Sequence, residues 1–181
     1  MFTLNCNQKT IITIAVFFIM SMFYTASAQY NGECWVINAQ TKQVVKINND
    51  YNIDPNAITL AQPQGLAVDP KDGSVWIADT AAGAVFKISG ANVIGQITGL
   101  DGPASISANP NDGTAWVGGN SGIAKLSSDC KTKLTSVSGL KESCVSVNYK
   151  DGTVWATDSK GKVVKYDASG NKLAEVSGFK E

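Results

Sequence analysis

The chain has 181 residues, in which 15 acidic side chains balance 15 basic ones, every basic residue is Lys, and there is no His. Balanced charge without the guanidinium fork excludes a dedicated nucleic-acid surface, and a hydrophobic content of 44% excludes a disordered chain. The length suits one ordinary domain, and 17 glycines with abundant Val, Ile and Thr suit many short strands joined by tight turns.

The first 28 residues differ from the rest. Lys9 gives a weakly basic start, Ile11 to Tyr24 is almost wholly apolar, and Ala26-Ser27-Ala28 is a small-x-small cleavage pattern. This reads as a secretory signal peptide over 1–28, because the apolar run is shorter than the roughly 20 residues a spanning helix needs. Cys6 precedes the run and is not placed for lipid attachment. The expected location is outside the cytoplasm, extracellular or periplasmic, with no membrane span after cleavage. Cys34, Cys130 and Cys144 remain, an odd number with no metal or redox spacing. Small apolar packing is the expected role of these thiols, and a bridge between Cys130 and Cys144 is the less favoured reading.

Residues 29–181 read as repeats. Asn31-Gly32-Glu33-Cys34-Trp35, Asp72-Gly73-Ser74-Val75-Trp76, Asp112-Gly113-Thr114-Ala115-Trp116 and Asp151-Gly152-Thr153-Val154-Trp155 place the four tryptophans 41, 40 and 39 residues apart. A period near 40 with a turn, a short strand and an aromatic is the signature of a propeller blade. Asp-Gly between alternating apolar runs is a hairpin signal, since Gly accepts the positive φ of the turn. The units fall at about 29–60, 61–99, 100–138 and 139–181, each expected to hold four strands. The first unit has strands at Glu33 to Asn38 and Gln43 to Asn48 and a poor outer strand ending at Ile58-Thr59-Leu60; its inner strand would fall at Met22 to Gln29, mostly within the signal. The expected fold is therefore all-β: a β-propeller of about four four-stranded blades with the first incomplete, in an open or truncated ring. The tryptophans are read as structural wedges between blades. A column of lysines, Lys46, Lys87, Lys125 and Lys165, occupies the third strands and is read as a solvated face with the amine heads in water.

The pattern from Pro63 to Thr80, Pro-x-Gly-Leu-Ala-Val-Asp-Pro-x-Asp-Gly-x-Val-Trp-Ile-Ala-Asp-Thr, followed by Val85-Phe86-Lys87-Ile88, resembles the NHL repeat. The resemblance extends over Glu33 to Glu181 and implies a superfamily of six-bladed propellers that includes gluconolactonase, streptogramin lyase and peptide-amidating lyase relatives. It implies architecture and not activity. The lyase branches look to His, which this sequence lacks. The lactonase branch implies a divalent cation such as calcium held by oxygen donors at the mouth of the axial channel; Asn38, Asp79, Asn120 and Asp158 recur at that position, where turn capping is the competing and favoured role. No nucleophile elbow, phosphate cradle or paired-carboxylate motif is visible.

These observations lead to a secreted binding or scaffold module, with no cofactor expected and an extracellular protein or small molecule as ligand. The binding face would be formed by Asn38, Asp79, Thr80, Asn120 and Asp158, with Gln62, Gln64, Asp101 and Glu142 nearby. The competing readings are a lactonase-like or lyase-like enzyme or remnant using an oxygen-ligated cation, and a fragment of a larger propeller. A homodimer completing the ring is the expected assembly if the mature chain stands alone.

Overall fold

The computed structural model describes residues 13–18 and 22–28 as backbone strands and residues 32–179 with their side chains. Seventeen strands run in chain order among these residues. The first sheet contains β1 (Thr13–Phe18), β2 (Met22–Ala28), β3 (Cys34–Asn38), β4 (Gln43–Ile47) and β5 (Ile58–Thr59). The second contains β6 (Pro63–Val68), β7 (Val75–Asp79), β8 (Ala84–Ser89) and β9 (Asn92–Ile97). The third contains β10 (Ser105–Ala108), β11 (Ala115–Gly118), β12 (Gly122–Leu126) and β13 (Lys133–Ser138), and the fourth β14 (Cys144–Val147), β15 (Val154–Asp158), β16 (Lys162–Tyr166) and β17 (Lys172–Ser177). Every pairing is antiparallel between consecutive strands, so each sheet is a meander made entirely of local connections.

The innermost strands β2, β6, β10 and β14 adjoin one another in sequence, which arranges the sheets as blades around an axis. The repeated turn explains how each blade starts. Asp72 Oδ1 accepts the N–H of Ser74 at 2.9 Å and its hydroxyl as well, and Asp112 with Thr114 and Asp151 with Thr153 repeat the arrangement. Gly73, Gly113 and Gly152 supply the positive φ between them. The Asp-Gly-Ser/Thr signature is thus a side-chain-stapled hairpin.

Strand alternation then gives each blade two faces. Trp35, Ile37 and Val44 face forward onto Val68, Val75, Ile77 and Ile88 of the second blade. Trp76, Ala78 and Val85 face forward onto Ile106, Ala115, Val117 and Leu126 of the third. Trp116 and Ile123 face forward onto Val154, Ala156, Val164 and Tyr166 of the fourth. The three tryptophans are all but sealed from solvent, at 4%, 0% and 0% exposure. The structural role expected of them holds at these three joints. Trp155, on the forward face of the fourth blade, is 38% exposed. Blade spacing at the centre is tight: a Cβ on Gly65 would stand 2.4 Å from the Ala104 carbonyl oxygen, so only Gly lets β6 lie against the next blade.

One expectation needs revision. The lysine column is a column of ion pairs and not a row of free amines in water. Lys87 is 3% exposed, and its Nζ reaches Asp69 Oδ2 at 3.2 Å, Asp72 Oδ2 at 3.3 Å and the Ser128 carbonyl of the next blade at 2.9 Å. It also lies 4.9 Å from the centre of the Trp76 ring, within cation–π range. Lys125 is buried and lies 3.5 Å from Asp112. Lys46 pairs with Glu33 at 2.9 Å and Lys165 with Asp151 at 3.8 Å. The third strand lies far from the axis but not far from the neighbouring blade, so each lysine head meets an acid at the wedge, buried at Lys87 and Lys125 and part-exposed at Lys46 and Lys165.

The first blade follows the repeat. Its inner strand, expected at Met22 to Gln29, is Met22–Ala28, which pairs antiparallel with Cys34–Asn38 from Ala28↔Cys34 to Tyr24↔Asn38. β1 adds a further strand inside it. An unpaired inner edge on β3 is a strong template for any neighbouring extended segment. Cys34, Cys130 and Cys144 are all free thiols.

Candidate binding cleft at the axial mouth

The ends of the second strands and the connections between blades gather on one side of the molecule. Asp79 is fully buried and its carboxylate accepts three backbone N–H groups: Ala61 at 2.7 Å, Gln62 at 2.9 Å and Ala82 at 3.0 Å. Asn38 Oδ1 accepts Gln40 N and Thr41 N, both at 3.1 Å, and Asp158 Oδ1 accepts Lys160 N at 2.9 Å and Lys162 N at 3.0 Å. Asn38 and Asp158 cap the loops that follow their strands, which is ordinary Asx-turn chemistry; Asp79 caps its own loop at Ala82 and also pins the connection from the first blade at Ala61 and Gln62. Among the described residues no group of three or more His, Cys, Asp or Glu is gathered as a metal-holding set.

Thr80 and Asn120 are placed differently. The Thr80 hydroxyl donates to the Pro103 carbonyl at 2.8 Å, and Asn120 Nδ2 donates to Asp101 Oδ1 at 3.3 Å, so each ties a strand-end loop to the connection between blades two and three. Both line a cleft of about 230 Å³ whose other walls include Gln64, Glu142, Ser143 and Cys144. A larger cleft of about 740 Å³ adjoins it at the first and second blades, with Ile37, Lys42, Gln62 and Pro63 in its walls, and Gln64 and Ala104 shared by both. The mouth of the propeller is therefore one depression running from the first blade to the fourth, with polar groups set in a largely apolar lining.

Its fourth-blade wall departs from the repeat. The connection Gly99-Leu100-Asp101-Gly102-Pro103-Ala104 reappears as Gly139-Leu140-Lys141-Glu142-Ser143-Cys144. Gly102 has φ 54° and Glu142, at the matching position, has φ 50°. A left-handed backbone is cheap for Gly and costs other residues roughly 1–2 kcal/mol. Ser143 is 2% exposed and its hydroxyl has no hydrogen-bond partner, a rare state for a buried donor. The sequence showed the departure at 142–144, but a repeat position alone does not reveal that a hydroxyl is buried and unpaired.

The fold and this mouth define a β-propeller assembled from about 40-residue blades, and residues 60–88 match the NHL repeat. No curated protein matches the sequence. Solved structures share the fold: virginiamycin B lyase from Staphylococcus aureus (selenomethionine-substituted) aligns with a TM-score of 0.70 at 21% identity, over 84% of this chain and 54% of that one. Hydrazine synthase from Kuenenia stuttgartiensis aligns with a TM-score of 0.74 at 18% identity, over 83% and 47%. A catalytically inactive His-to-Ala form of the S. aureus lyase with quinupristin gives 0.73 at 18%, over 93% and 59%. The chain thus spans about half the length of these structures.

Proposed function

We propose that this propeller is a binding module, and that its ligand sits in the axial-mouth cleft between Thr80, Asn120, Glu142 and Ser143. One observation carries the reading: a strained Glu142 and an orphaned Ser143 hydroxyl stand side by side in the wall of one cleft. Strain and unpaired buried polar groups persist where something other than stability maintains them. The walls offer amides, hydroxyls and the carboxylate of Glu142, with Asp101 close to Asn120. This set accepts donors, so the ligand class is a neutral or cationic molecule rich in N–H or O–H groups, such as a peptide segment, an amine or a polyol. Secretion through the segment 1–28 would place that ligand outside the cytoplasm.

The enzyme reading is the weaker one. The S. aureus lyase is inactive when a histidine becomes alanine, and this chain has no histidine to offer. Asn38 and Asp158 spend their side-chain oxygens on their own loops, and Asp79 on its loop and the connection from the first blade. Thermal denaturation with blocked peptides, polyamines and monosaccharides tests the proposal. A ligand should raise Tm by mass action, and Ser143→Ala should abolish the rise without lowering the Tm of the free protein. A ligand-induced rise that survives Ser143→Ala places binding elsewhere. A rise with calcium alone would instead favour the oxygen-ligated cation.

A further inference from the structure

The fourth blade carries a forward face built like the three that are covered. Trp155 stands where Trp35, Trp76 and Trp116 stand in their strands, and each is paired across to a Lys: Lys46, Lys87, Lys125 and Lys165. Beside Trp155 on this face are Thr157 and Val163, a directly opposed pair, and Val176 opposite Val163 on β17. Trp155 is 38% and Val176 51% exposed. Two polar details repeat as well. Ser105 and Ser107 of β10 accept the N–H groups of Val145 and Val147 in the next blade at 3.0 and 3.1 Å, and Cys144 and Ser146 occupy the matching positions of β14. Lys87 bonds a carbonyl of the next blade at 2.9 Å, whereas Lys165, in the matching position, pairs with Asp151 and lies 5.6 Å from the centre of the Trp155 ring, both within its own blade.

The complementary half-joint is in the same chain. The rear faces that receive a tryptophan are apolar at four matched positions: Val75, Ile77, Phe86 and Ile88 in the second blade, and Val154, Ala156, Val164 and Tyr166 in the fourth. In the first blade the same four positions are Cys34, Val36, Val45 and Ile47. All four are only half-buried. One chain therefore holds both a forward face and a rear face of the kind its own three joints fit together.

We propose that the forward face of the fourth blade docks on the rear face of the first blade of a second copy, and that the reciprocal joint closes a two-chain ring of eight blades. A heterologous interface closes only if its rotation divides the circle, and eight blades lie within the range propellers adopt. Each joint removes Trp155 from water, the kind of aromatic anchor that dominates association energy.

The test is the solution mass of the full chain by light scattering over a concentration series, with variants on each face. The expected mass is twice 19.1 kDa, and acrylamide quenching of tryptophan should fall as the dimer forms. Trp155→Glu and Val45→Glu should each be monomeric with the unchanged far-ultraviolet spectrum of a β fold. Mixed in equal amounts, they should regain the two-chain mass, since Trp155→Glu retains the rear face and Val45→Glu the forward one. A monomer at all concentrations overturns the proposal, as does a dimer that survives Trp155→Glu or a mixture that stays monomeric. Open-ended polymers would overturn the closed ring.

Discussion

Lys87 shows how much a single residue of the repeat contributes. Its ammonium is buried between Asp69, Asp72 and the Trp76 ring, and removing one partner of such a group strands the other in a dry joint. Lys87→Met is expected to cost about 3–5 kcal/mol, whereas Lys165→Met, whose side chain is one-quarter exposed, should cost under about 1 kcal/mol; urea denaturation of the two variants makes the comparison. The acids of these pairs set the response to pH. Burial pushes the Asp72 carboxyl up, yet hydrogen bonds from Ser74 and Lys87 outweigh it and hold it below the usual value of 3.8. Asp112 behaves likewise, through Thr114 and Lys125. A carboxylate with a lowered folded pKa stabilises above its unfolded pKa and loses that contribution as pH falls through the folded one. Stability should therefore be flat above about pH 5 and decline below about pH 4, and Ser74→Ala should narrow that decline. Cys130 is the opposite case: burial pushes its thiol up to about 12, so it should resist iodoacetamide at pH 8 in the folded protein and react once unfolded. The burial of Cys130 agrees with the packing role expected of it, but the ion pairs were not legible in the sequence. A lysine every 40 residues is compatible with water or with an ion pair, and only the distance between blades decides.

At the scale of strands and blades the sequence was far more informative. The hairpin turns, the tryptophan column and the strand alternation follow from local chemistry, and the strands from Gln43–Ile47 to Lys172–Ser177 fall where those signals put them. The inner strand of the first blade was obscured, because Met22–Ala28 is both strand-like in composition and part of an apolar leader. The same overlap yields a prediction. In a chain beginning at Gln29, β3 loses its inner partner, and repeat arrays transmit such a loss mainly to nearest neighbours. Amides of β3 and β4 should then exchange rapidly, while those of β7 and β11 keep their protection, as hydrogen exchange resolved by peptide would show. Trp116→Ala should cost about 3–5 kcal/mol by emptying a joint within the chain, while Trp155→Ala should cost far less in monomeric protein, where its ring is 38% exposed, and act instead on the two-chain mass; equal losses measured on the monomer would contradict the joint assignment.

For the whole molecule, the mouth and the joints answer to different demands. The joints are filled with apolar side chains and paired lysines, with an unpaired Trp76 Nε1 and a left-handed Cys130 sealed inside one of them, whereas the mouth sets a left-handed Glu142 and an unpaired Ser143 hydroxyl side by side in the wall of an open cleft. Glu142→Gly relieves a left-handed backbone, roughly 1–2 kcal/mol, against the entropy cost of a glycine, roughly 0.5–1 kcal/mol. A small net gain in stability and weaker ligand binding are therefore expected, an exchange found where a site is maintained against stability. The candidate site was only partly legible for the same reason: Thr80 and Asn120 could be named from strand ends, but Asn38, Asp79 and Asp158 share that position and are committed to backbone N–H groups, of their own loops for Asn38 and Asp158 and also of the preceding connection for Asp79. The sameness of the joints has a further consequence for inheritance. Because Trp35 and Trp76 meet equivalent apolar surfaces, excising residues 61–99 would bring Trp35 against Ala115, Val117 and Leu126 and leave a joint of familiar chemistry. Genes for such chains can gain or lose whole blades by unequal recombination without passing through an unfoldable intermediate, and their products should differ in length by multiples of about 40 residues.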